Sequence, residues 1–297
     1  MAASKISIAF RFSSPVFIDQ LVAKTTGANY PAVNDGEVKA VTIPVPPLPE
    51  QERIVALLDE ADDLRKLRAQ ADRRTVDLIP ALFYEMFGDP STNPRNWPIE
   101  SLGNMFDANR GGVKCGPFGS ALKRDEYTTT GIPVWGIPNV LPDQFVEAGS
   151  LFISTEKYQS LCAYAVERGD LLVSRAGTVG RICVALPSAA PSIIGTNLIR
   201  VALDCKKLVP EFLSVLMTHF AASVGRLRAN ADDGAYSFMN TTVLKSLNIY
   251  RPPLPLQQEF AQRVTEIREL QARQADSRGR LDALFGSMLH RAFNGEL

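Results

Sequence analysis

The sequence predicts an α+β chain: one α/β globule together with two long helices that pair as an antiparallel coiled coil. Three observations carry this: an internal repeat, a long helical periodicity in each copy of it, and a Gly- and Pro-rich stretch between them. Residues 44–52 read PVPPLPEQE and residues 250–258 read YRPPLPLQQ, an offset of 206. At that offset Tyr30 meets Tyr236, Asn34 meets Asn240, Lys39 meets Lys245 and Ile43 meets Ile249. Matches running upstream at one fixed spacing mark a duplicated unit.

Each copy continues into a helical pattern. The first runs from about Glu50 to Phe87, with Ile54, Leu57, Leu58, Ala61 and Leu64 at three- and four-residue spacing, resuming at Leu78, Ile79, Leu82, Phe83 and Met86. The second runs from about Gln257 to Phe293, with Phe260, Val264, Ile267 and Leu270, then Leu281, Leu284, Phe285, Met288 and Leu289. Such helices are roughly 50 Å long at 1.5 Å per residue and cannot hide an apolar stripe alone. Ile54, Leu58, Ala61, Phe260, Val264 and Ile267 are therefore the expected pairing positions. The middle of each stripe is polar: Arg65, Arg68 and Asp72 in the first, Gln271, Gln274 and Arg278 in the second. Pro49 and Pro255 suit a first helical turn. Pro80 predicts a kink or break.

Between the helices, Ile132–Val134, Leu171–Ser174, Ile182–Ala185 and Leu198–Ala202 read as strands, and Val209 to about Arg228 as a helix. The expected segments are 1–45, 46–89, 90–251 and 252–297. The chain has 32 basic and 32 acidic residues, but the globule carries a net +3 and residues 46–89 a net −4. DNA would be placed on the globule by that difference.

Several chemistries lack their motifs. The four cysteines form no C-x-x-C pair and only two histidines are present, so a metal site is not expected and the thiols read as reduced and core-packed. Glu37-Val38-Lys39 with Asp19 imitates a nuclease site, but Lys39 belongs to the repeated frame and Val243 stands where Glu37 would recur. There is no P-loop and no N-P-P-aromatic motif, and Arg175–Gly180 reads as a hairpin turn. No apolar run suits a bilayer and no secretory signal is visible, so a cytoplasmic protein without membrane partners is expected. Polar and basic loop residues are the candidate nucleic-acid contacts: Arg110, Lys114, Lys123, Arg124, Arg175, Arg181, Arg226, Arg228 and Tyr236.

The repeated PPLPEQ/PPLPLQ followed by a long helix resembles the paired conserved regions of the DNA specificity subunits of Type I restriction–modification systems. NWPIESLG (96–103), GPFGSALKRDEYTTTGIPVWGIPNV (116–140) and GDLLVSRAGTVGRICVA (169–185) resemble the segments of a target-recognition domain, and LFGSMLHRAFNGEL (284–297) the end of the second conserved region. The resemblance implies a non-catalytic, DNA-binding subunit of a bacterial defence complex. It would read a half-site of a bipartite double-stranded target and dock methylation subunits, with a restriction subunit joining them. The subunit itself would bind no cofactor; S-adenosylmethionine would be used by the methylation partner. Only 45 residues precede Pro46, against 162 between Asp89 and Pro252, so the first recognition domain is expected to be truncated. Completion by a second copy of the chain, as a homodimer, or by a different specificity chain then follows. Competing readings are a free-standing DNA-modifying enzyme and a truncated assembly protein that reads no DNA.

Overall fold

The computed structural model describes residues 15–25, 32–41, 46–149, 151–176, 178–188, 190–220 and 239–294. Contacts divide the chain into two compact units. One comprises residues up to Asp77 together with those from Arg268; the other is Leu78–Ile267.

The first unit is helical. Helix α1 spans Pro15–Val22 and α2 spans Asp35–Lys39. Asn34 caps α2: its Oδ1 accepts from the Glu37 N–H at 3.0 Å, while Glu37 Oε2 accepts from the Asn34 N–H at 2.7 Å. This capping box commits the carboxylate that imitated a nuclease residue. Helix α3, Leu48–Val76, starts with Pro49 in its first turn, where a missing N–H leaves no bond unmade. It ends at Val76, and α4 begins at Leu78 and runs to Phe87. Pro80 accounts for the break, since its ring would collide with the Val76 carbonyl four residues back.

The long C-terminal helix, α8, is Leu254–Asn294. Its part within the first unit packs Phe285, Leu289, Ala292 and Met288 against Ile54, Leu58 and Ala61 of α3. Further along, Arg65 Nε lies 2.7 Å from Asp282, Arg278 Nη1 2.6 Å from Asp72, and Thr75 Oγ1 2.9 Å from Gln274 Oε1. Gln271 Nε2 donates to the Thr75 carbonyl at 2.9 Å. As numbers rise along α3 they fall along α8, so the contacts run antiparallel. Of the polar residues that interrupt the stripes, Asp72 and Arg278 are partners, while Arg65 bonds Asp282 and Gln271 and Gln274 both bond Thr75. One pair is singular: Asp72 and Arg278 stand 206 residues apart, the repeat offset itself.

Among the described residues the second unit contains eleven short strands. Chain order places β1 at Ile99–Ser101, β2 at Val113–Cys115, β3 at Ile132–Trp135, β4 at Val140–Leu141, β5 at Gln144–Phe145 and β6 at Leu151–Ile153. After α5, Thr155–Leu161, come β7 at Leu171–Ser174, β8 at Ile182–Val184, β9 at Ile193–Ile194 and β10 at Leu198–Val201. Then α6 spans Pro210–His219, α7 Thr241–Ser246 and β11 Asn248–Tyr250. The main sheet has the antiparallel order β2-β10-β7-β8. Every residue of β7, β8 and β10 is buried, because the sheet is covered on both faces. Leu171, Val173, Ile182, Val184, Ile199 and Val201 face one core, and Leu172, Cys183 and Leu198 face another. That is why these strands read as continuous apolar runs rather than alternating ones. A second sheet, β6-β3-β9, holds the one parallel pairing among the described strands, β3 with β9.

Strand β1 pairs with β11, Ile99 opposite Tyr250 and Ser101 opposite Asn248, joining the two ends of the globule. The boundaries expected at 89/90 and 251/252 differ from the contact boundaries because residues on either side are strongly apolar. Phe212 of α6 stacks on Phe83 of α4 and meets Phe87 of α4 and Phe260 of α8 edge to face, at centroid distances of 4.8 to 6.4 Å. Val264 and, at its edge, Ile267 belong to the same core. The six pairing positions thus fall in two clusters, Ile54, Leu58 and Ala61 in one and Phe260, Val264 and Ile267 in the other. Of the cysteines, Cys183 is buried but Cys162 and Cys205 are exposed and Cys115 is half-buried. The expectation of four core-packed thiols is corrected on that point. No helix among the described residues is long and apolar enough to cross a membrane.

Candidate nucleic-acid interface

The structure separates the nine candidate contacts into groups. Arg110 is a structural cation. Its guanidinium grips Asp170 through two bonds of 2.6 and 3.0 Å and meets Glu167 at 3.1 Å. The Asp170 side chain is fully buried. Burial opposes the Arg110 charge, yet the Asp170 hydrogen bonds, with Asp170, Glu167 and Asp107 as nearby charges, leave its pKa above the ordinary arginine value. Arg200, on β10, joins the cluster by donating to the carbonyls of Ala165 at 3.0 Å and Arg110 at 2.8 Å. Its pKa is lowered, chiefly by burial and also by the Arg110 charge. Burying Arg200 and Asp170 requires this degree of pairing, and Arg110, its side chain 25% exposed, is engaged in that cluster. Asp170, lying between Gly169 and an apolar strand, is the sequence signal that could have exposed the pair.

Arg175 is also largely committed. It is 8% exposed, its N–H donates to the Asn197 carbonyl at 3.0 Å, and its guanidinium lies 4.7 Å above the Phe118 ring. It follows β7, which pairs antiparallel with β8, in keeping with the turn expected at Arg175–Gly180. Ser174 fastens that loop: its Oγ accepts from the Arg181 N–H at 3.0 Å and donates to the Thr178 carbonyl. Gly180, at φ +86°, supplies the left-handed residue the return needs.

Lys114 sits on β2 opposite Arg200, its Nζ 5.2 Å from the Tyr164 ring centre. Lys123 and Arg124 are exposed at the short turn Arg124–Glu126. Glu126 closes that turn, accepting from the Lys123 N–H at 2.6 Å and from Lys157 Nζ at 2.6 Å. These two contacts hold the Glu126 carboxyl below the usual carboxylate range. Arg181 is half-buried. Arg226, Arg228 and Tyr236 lie outside the described residues. The structure therefore brings the 116–119 loop together with Arg175 and the Gly195–Asn197 turn, and leaves Arg110 in a separate ion-pair cluster with Asp170 and Glu167. Phe118, 59% exposed at this edge, was missed because sequence reasoning sought only polar side chains. Among the described residues no three or more His, Cys, Asp or Glu are grouped to hold a metal ion.

The repeat also survives at the level of single bonds. Gln51 Nε2 donates to the Pro46 carbonyl at 2.7 Å, and Gln257 Nε2 to the Pro252 carbonyl at 2.8 Å. Asn34 and Asn240 each cap a short helix, accepting from the residue three on.

Residues 7–72 match the family model described as "Type I restriction modification DNA specificity domain". The chain is similar to the specificity subunit of the Type I restriction enzyme StySPI of Salmonella potsdam, 23% identical over 98% of its own length and 65% of the other's. It is also 23% identical to the MjaVIII specificity subunit of Methanocaldococcus jannaschii, over 84% of this chain and 60% of the other. A chain solved in work on complex assembly and conformational transition of the type I R-M system shares the fold, with a TM-score of 0.66 and 23% identity. The match covers 98% of this chain and 71% of that one. The chain thus spans 60–65% of the length of these curated relatives.

Proposed function

We propose that this chain is a sequence-specific DNA-binding specificity subunit of a Type I restriction–modification complex, itself non-catalytic. Its globule reads one half of a bipartite double-stranded target. The observation that carries this reading is the frame repeated bond for bond at Gln51 and Gln257, enclosing a globule with exposed Lys123 and Arg124 on its loops. A duplicated scaffold serves to present equivalent surfaces twice, and the cations on the globule meet phosphates. The helices pair as an antiparallel coiled coil and dock methylation subunits, which use S-adenosylmethionine, with a restriction subunit able to join.

Exposed leucines support the docking role. Leu64 and Leu270 are equivalent under the repeat and 50% and 39% exposed; Leu78 and Leu284 are also equivalent and 39% and 55% exposed. Apolar positions uncovered in matching pairs suit two copies of one apolar partner element. The test is to express methylation subunits with and without this chain and sequence the methylome. A defined methylated motif should appear only with the chain. No motif, or methylation by the purified chain alone, would refute the reading.

A further inference from the structure

We infer that Phe118 is a specificity-determining residue that contacts the 5-methyl group of one thymine in the bound duplex, and that Arg175 is the positioning residue that holds it. This rests on the DNA-reading function proposed above. A lone exposed apolar side chain is ordinary. Phe118 differs in how firmly it is presented.

Its loop is fixed on both sides. The Gly116 N–H donates to the Leu198 carbonyl at 2.9 Å. A Cβ at position 116 would fall 1.9 Å from the Gly195 carbonyl oxygen, so only glycine permits this approach. Pro117 restricts the next φ. On the far side the Ala121 N–H donates to the Phe118 carbonyl at 2.8 Å. The ring rests against the Arg175 guanidinium; Arg175 is a buried residue whose backbone N–H is bonded to the Asn197 carbonyl. A cation over an aromatic face is attractive, and here it orients a ring that stays 59% exposed. Holding the ring in place beforehand removes an ordering cost from binding.

The surroundings identify the ligand chemistry. Lys123 and Arg124, exposed a few residues along the same chain segment, suit phosphates. An apolar side chain presented beside phosphate-binding cations meets one apolar feature on a major-groove base edge, the thymine methyl. Arginines and lysines cannot read that group, so Phe118 adds information the cations lack.

The test uses the full chain assembled with methylation subunits and a duplex selected by that assembly from a random library. Each thymine is replaced in turn by deoxyuridine, which removes only the methyl. Wild type and Phe118→Leu should lose about threefold to tenfold in affinity at one position, the scale of one buried methyl. Phe118→Ala should be indifferent to that replacement and keep its preferences elsewhere. An unchanged thymine profile in Phe118→Ala, a uniform loss over all sequences, or no methyl-sensitive position in wild type would each overturn the inference. If the wild-type assembly selects no sequence at all, the DNA-reading function itself fails.

Discussion

The two copies of the repeated helix start can be compared position by position. In the second, Gln257 is fully buried; beyond its bond to Pro252 it accepts from the Val209 N–H at 2.9 Å, tying the start of α6 to α8. Phe260 and Val264 below it are wholly buried in an aromatic core. In the first copy the equivalent Gln51 is only half-buried, and Ile54, Leu58 and Ala61 share a smaller cluster built mostly of aliphatic side chains around Phe285. The same frame therefore carries unequal loads. The bond to the proline carbonyl sets the direction in which each helix starts, and burial is added by whatever packs on it.

The widest contrast should appear on truncating the central apolar residue of each copy. Phe260→Ala removes a fully buried ring and should cost about 3–5 kcal/mol, whereas Ile54→Ala should cost about 2–3 kcal/mol. Denaturant unfolding followed by hydrogen exchange in each unit measures both; equal losses would erase the distinction. Next come the glutamines. Gln257→Leu strands the buried Val209 N–H and Pro252 carbonyl and should cost about 2–3 kcal/mol, against about 1 kcal/mol or less for Gln51→Leu. A smaller effect is expected at the Asp72–Arg278 ion pair. Asp72→Arg should destabilise the first unit by about 1 kcal/mol, and adding Arg278→Asp should restore most of it, in a double-mutant cycle.

The smallest effect is a pH dependence in the globule. The Glu126 carboxyl is depressed, so its contribution is fully present above the unfolded-state pKa and is lost as pH falls through the lower folded value. An NMR titration should find Glu126 deprotonating below the ordinary carboxylate range. Lys157→Ala should move it upward with little change in overall stability, since the pair is partly exposed.

Much of this frame is legible in residues alone. The offset of 206, the prolines in both first turns, the break near Pro80 and the strands at 132–135, 171–174, 182–184 and 198–201 all follow from local patterns. Partner choice is not local. A periodic stripe shows that Leu58 and Val264 face something apolar, but not that Leu289 belongs to the cluster of the first and Phe83 to that of the second. The pairing of Arg110 with Asp170 is not visible locally because the two are sixty residues apart. Phe118 was passed over because its support, Arg175, comes from another loop.

The Asp72–Arg278 pair has a further consequence. Because the two residues are repeat equivalents, this contact is its own image when the copies are exchanged. Two first-copy helices meeting in the same register would set Asp72 against a second Asp72, and two second-copy helices would oppose Arg278 with Arg278. Both like-with-like combinations bring equal charges together at a site where the Asp72 side chain is only 17% exposed. The unlike combination alone sets opposite charges face to face at that point, where Arg68 also lies 3.4 Å from the Asp72 carboxylate. A duplication of one helix has thus acquired, at its point of symmetry, a contact that suits the other half better than a copy of itself.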